Sequence, residues 1–172
     1  MTNNTSRILG IAFLLQAITS LISGTILRQS LIVPGNISES MINIANNALL
    51  MRANILVDML TALGIIFLGA ILFITLRKQN EKIALVALGF YILEAALLAA
   101  SRIAAFSLLR ISQEYVTTGH PVFLQTIGNL LLESMDFVGI TLHMLVFVLV
   151  ESFFIVCSTN QELFHVLCLS GV

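Results

Sequence analysis

The sequence predicts an all-α protein: a polytopic transmembrane helical bundle of about four spans with two interfacial amphipathic helices. Composition is the first reason. Of 172 residues, 58% are hydrophobic and only 10% are charged, with a mean hydropathy of +1.03, whereas soluble domains carry about 25% charged residues. Run length is the second, because the apolar stretches approach the roughly 20 residues that carry a helix across the hydrocarbon core. Lipid offers backbone N–H and C=O groups no partner but each other, so these stretches are helices.

The first span is expected at 8–27, between Arg7 and Arg28, and the second at 55–76, between Arg52 and the Arg77–Lys78 pair. The third, at 83–105, follows the short polar turn RKQNEK and is trailed by Arg110; the fourth lies at 135–156. The first run is about twice the length of a signal-peptide apolar region and has no small-residue cleavage pattern behind it, so it reads as a span that stays. The whole chain, 1–172, reads as one integral membrane domain with a polar tail at 157–172.

Two connecting segments carry helical periodicity of their own. In NISESMINIANNALLMR, Ile37, Met41, Ile44 and Ala48 recur at helical spacing opposite Asn43, Asn46 and Asn47, as in a helix lying at the membrane surface. In HPVFLQTIGNLLLES, Pro121 suits a helix start, and Phe123, Ile127, Leu130 and Leu131 form a stripe. Asn36-Ile37-Ser38 matches a glycosylation sequon, a triplet that chance supplies often.

Basic residues near span ends set orientation. Arg7, Arg77, Lys78 and Lys82 outnumber Arg28, Arg52 and Arg110, which places the N-terminus and the RKQNEK turn in the cytoplasm. Cys157 and Cys168 then lie toward the reducing side and read as free thiols.

Charged residues inside spans are expensive and need partners. Glu94 and Arg102 are two helical turns apart, too far to satisfy each other. The short turn makes the second and third spans an antiparallel hairpin in which residue numbers adding to about 159 lie at equal depth, so Asp58 and Arg102 form a candidate structural ion pair. Separate snorkelling of the two side chains is the alternative. Opposite Glu94 the hairpin offers only Ile65, so its partners must come from other spans: His143, at similar depth in the fourth, and Gln16 in the first. Gln16, Thr19, Ser20 and Ser23 make a polar stripe that belongs against other helices. Glu94, His143 and Gln16 are therefore the candidate intramembrane polar cluster.

No HExxH, GxSxG, paired CxxC or Gly-rich phosphate loop is present, and His120, His143 and His165 do not form a metal pattern. The expectation is a non-enzyme with no catalytic residues, metal or cofactor. The preferred role is a structural or accessory bundle, in which buried polar groups hydrogen-bond across helices. A solute or proton module using Glu94 at the midplane is the alternative, and an intramembrane enzyme ranks last. The lipid bilayer is the partner that composition names; a homo-oligomer or a membrane-protein partner stays open, and nothing in the charge pattern suits nucleic acid.

Three stretches, RILGIAFLLQAITSLISG, LVDMLTALG and NEKIALVALGFYILEAALL, give the chain from about Arg7 to Phe147 a resemblance to the bacterial domain of unknown function 4386 family. The resemblance implies a multi-span inner-membrane protein and brings no activity with it. Family members commonly carry an arginine three residues before the glutamate matching Glu94, where this chain has Tyr91. After Val148 the motif-level resemblance ends. Codons can be chosen for 148–172 that, read two bases out of frame, encode an apolar run and the family's S-x-x-I-P-R turn. The expectation is a frameshifted, truncated member in which Glu151, Cys157, His165 and Cys168 have no evolved role, with a divergent but genuine C-terminus as the alternative.

Overall fold

The computed structural model describes residues 3–77, 81–150 and 152. The described chain is helical almost throughout, and four of its helices are long and apolar enough to cross a membrane. Helix α1, Asn3–Leu21, runs on into a π-helical segment, Ile22–Leu27. After a turn at Pro34 and Gly35 come α2 (Ile37–Asn46), α3 (Ala48–Leu76) and α4 (Glu81–Thr117). Helix α5, Val122–Asp136, continues through a second π-helical segment, Phe137–Leu142, and ordinary helix to Val150. The Gln79–Asn80 turn, Glu151, Cys157, His165, Cys168 and the end of the fourth span lie outside the described residues.

The centre of the bundle is the α3–α4 pair. Along the centre of the seam the buried positions are Met51, Asn54, Asp58, Thr61, Ile65, Leu68 and Leu72 on α3 and Ala84, Ala87, Tyr91, Glu94, Leu98, Ser101, Ala105, Leu108, Ser112 and Tyr115 on α4, with Ala62, Gly69, Ala95 and Leu109 buried beside them. Both series advance by alternating steps of three and four residues, the spacing that keeps one seam of a helix against an antiparallel neighbour. Small residues on that seam let the two backbones approach. A Cβ on Gly69 would stand 2.7 Å from Tyr91 Cβ. Gly69 faces Tyr91 as Asp58 faces Arg102, eleven residues along each helix, so one register holds over this length.

The helix ends depart from the hydropathy boundaries. Helix α4 has 37 residues and is about 55 Å long at 1.5 Å per residue, well beyond a hydrocarbon core of about 30 Å. Its C-terminal part, past the expected end of the span at 105, packs against α2 and α5, where Met41, Tyr115 and Leu124 form a small apolar cluster. Gly119, at a φ of 82°, ends α4, and the His120 N–H closes back on the Tyr115 carbonyl at 2.9 Å.

Helix α2 is shorter than the expected surface helix because the Asn46–Asn47 step leaves helical geometry. Asn36 caps it, accepting from the Glu39 N–H at 3.1 Å, which gives the sequon asparagine a structural use. Met41 and Ile44 are fully buried and Ile37 and Ala48 partly so.

The expected second surface helix is not a separate element. Nothing in Val122–Val150 breaks the helix, so surface segment and span form one continuous rod with a π-helical stretch in its middle. The stripe is corrected too: Phe123 and Leu130 are exposed, while Leu124, Gly128 and Met135 face inward. This helix is apolar on both sides, and close packing of Gly128 on Met41 selects the inward face.

Helix α1 is the least engaged. It packs on α3 and on neither α4 nor α5, and Leu14, Leu15, Ile18 and Leu21 are exposed.

Candidate functional site

Two polar groupings lie between the helices, at different levels of one cavity. The first is centred on Asp58, on the inward seam of α3. Arg102 Nη1 donates to Asp58 Oδ2 at 2.5 Å, and Ser23 Oγ in the π-helical part of the first helix donates to Asp58 Oδ1 at 2.5 Å. The amide Nδ2 of Asn54 donates to Ser23 Oγ at 2.8 Å and to the Ser23 carbonyl at 3.1 Å. The remaining guanidinium nitrogens of Arg102, Nε and Nη2, both donate to Ser101 Oγ, at 3.0 and 2.8 Å. Each guanidinium nitrogen of this arginine therefore donates one hydrogen bond, and the first π-helical segment, α3 and α4 are tied together at one level. Gly139 makes room for it, since a Cβ there would lie 2.8 Å from Ser101 Oγ and 2.9 Å from Arg102 Nη2.

A second arginine closes the same end. Arg28 Nη2 donates to Asp136 Oδ2 at 2.7 Å, joining the end of the first helix to the end of α5. These side chains are 24% and 36% exposed, against 11% and 9% for Arg102 and Asp58.

The second grouping lies deeper. Glu94 is 1% exposed, and its Oε1 lies 3.4 Å from His143 Nε2 without making a hydrogen bond. Among the described residues neither carboxyl oxygen of Glu94, neither ring nitrogen of His143, nor Oε1 of Gln16 has a hydrogen-bond partner, although all five atoms are buried. All three side chains line one cavity of about 740 Å³, within the roughly 300–1,000 Å³ of small-molecule sites. Arg28, Asp58 and Arg102 line it as well, and its wall is otherwise mostly apolar. The π-helical segments contribute Ser23, Gly24 and Thr25 on one side and Gly139 and Ile140 on the other. Such segments are rare and recur at functional sites.

The expected stripe on the first helix divides. Ser23 is buried in the Asp58 network and Gln16 turns to the cavity, whereas Ser20 lines the cavity but is exposed, and the Thr19 hydroxyl bonds back to the Gln16 carbonyl at 3.0 Å. Asn54 escaped the sequence reading because it was placed in the flank before the second span, though it stands four residues before Asp58 on the same seam. The Arg28–Asp136 pair spans 108 residues and has no local signal. No cluster of three or more metal-ligating side chains occurs among the described residues.

The family model Domain of unknown function (DUF4386) matches residues 8–164. The chain belongs to this family. The match runs past Val148, where the motif-level resemblance ends. No curated protein and no solved structure matches the chain.

Proposed function

We propose that this DUF4386 member is a membrane-embedded binding module for a small solute, with Glu94 as its central polar group. The observation that carries the reading is the set of unpartnered buried atoms on Glu94, His143 and Gln16 around one cavity. Side chains serving as glue satisfy one another across helices, because a buried polar group without a partner costs about 1–3 kcal/mol. Here that adhesive role falls to the Asp58, Arg102, Ser23 and Asn54 network, whose groups are bonded to each other. The deeper grouping is left with hydrogen-bonding capacity directed at whatever occupies the cavity. This moves the balance from the structural role favoured by composition to the solute-binding alternative.

The module binds and does not catalyse in this reading. Its setting is a bacterial inner membrane with the N-terminus and the 77–82 turn on the cytoplasmic side, supported by the basic residues at 7, 77, 78 and 82.

Carbodiimide labelling in native membranes, followed by mass analysis of the peptide holding Glu94, tests this. The expected result is modification of Glu94 and its loss in Glu94→Gln. Absence of reaction at every pH would overturn the reading and return Glu94 to a sealed packing role.

A further inference from the structure

Building on the reading of Glu94 as a ligand-binding group, we propose that the occupant of the cavity is an apolar amine, its ammonium held by Glu94 and its hydrocarbon body by the cavity wall. The charges select the head group. Four lining residues carry formal charge: Arg28, Asp58, Glu94 and Arg102. Arg28 is bonded to Asp136, and Arg102 gives Nη1 to Asp58 and Nε and Nη2 to Ser101. Each guanidinium thus already faces a carboxylate, Asp136 for Arg28 and Asp58 for Arg102, which offsets its attraction for a second anion. Glu94 is the opposite case. His143 stands 3.4 Å from it and is not hydrogen-bonded to it.

Hydrogen-bond chemistry points the same way. The unpartnered atoms include three oxygens, Gln16 Oε1 and Glu94 Oε1 and Oε2, and a neutral imidazole adds one acceptor and one N–H donor, so acceptors outnumber donors among them. An ammonium has three N–H donors and no acceptor, so it matches an acceptor-rich site. It also brings the counter-charge that a carboxylate in a low-dielectric interior requires. An alcohol supplies only one donor and no charge.

The cavity shape selects the body. A space of about 740 Å³ walled by side chains such as Phe13, Leu98, Met144 and Phe147 is far larger than a bare cation and offers an apolar body a matching surface. Phe13 and Phe147 line it from the first helix and the last and remain 38% and 37% exposed, so part of its apolar wall is accessible to a hydrophobic amine dissolved in the bilayer.

The test uses the full chain and its Glu94→Gln variant in lipid nanodiscs, with radiolabelled phenylbutylamine and phenylbutanol as a pair differing only in the head group. The thermal transition of each protein is recorded first. The expected result is saturable binding of the amine, weakened roughly 10- to 100-fold in Glu94→Gln, the range for a lost charge-assisted hydrogen bond. In the unmodified chain the amine, and not the alcohol, should slow carbodiimide labelling of Glu94, a measurement independent of how the variant folds. Equal affinity for the alcohol, amine binding indifferent to Glu94→Gln, or no protection of a Glu94 that does label would each overturn the amine assignment while leaving solute binding standing. A Glu94 that never labels overturns both.

Discussion

Removing either partner of the Asp58–Arg102 pair tests the structural half of this scheme. Their side chains are only 9% and 11% exposed, so the charge left behind has little water to turn to. Breaking a buried pair by deleting one partner costs about 3–5 kcal/mol in soluble proteins, and a lone charge at the centre of a membrane helix about 2.5–3.5 kcal/mol. Arg102→Ala strands Asp58 with only the Ser23 hydroxyl, and a loss of about 3 kcal/mol is expected. Asp58→Asn keeps an oxygen for Arg102 and Ser23 to donate to but removes the counter-charge, so about 2 kcal/mol is expected. The exchange Asp58→Arg with Arg102→Asp should recover about half of the summed loss, in line with coupling energies of about 0.5–3 kcal/mol for contacting residues. Recovery is expected because a serine hydroxyl stands beside each position, Ser23 at 58 and Ser101 at 102, and a hydroxyl can donate or accept. Reversible unfolding in mixed detergent micelles measures all four proteins. If both single changes are harmless, or the exchange is no better than the sum of the singles, the two charges act independently and the argument from hairpin register fails.

Two further outcomes follow from the packing. Gly69→Ala should destabilise by about 1–3 kcal/mol through overpacking, because its Cβ would press within 2.7 Å of Tyr91 Cβ; Gly64→Ala, with nothing within 4 Å, should be neutral or slightly stabilising in the same unfolding assay. Arg28→Ala should lower stability by no more than about 1 kcal/mol, as for exposed ion pairs, and a loss equal to that of Arg102→Ala would show that exposure is not what separates the two pairs.

The sequence alone determined the number of apolar helices and the alignment of the second with the third. Those follow from local rules: an apolar run in lipid must be helical, and a turn of a few residues forces its flanking helices side by side. The seam was legible only in part: Asp58 and Glu94 stand out as charges within apolar runs, whereas Asn54, Thr61 and Ser101, which share their three-and-four spacing, do not. What hydropathy missed was where helices stop. A helix propagates until a cap or an interruption ends it, so the polar change near Ser134 marks no boundary within Val122–Val150, and α4 runs to Thr117. Only the tertiary structure joined Arg28 to Asp136 and kept α1 away from α4 and α5. Both depend on how helices far apart in the chain close around the α3–α4 pair, and no local pattern encodes that balance of packing. The cavity is its product: Glu94, His143 and Gln16, from three different helices, face a common space and do not bond one another.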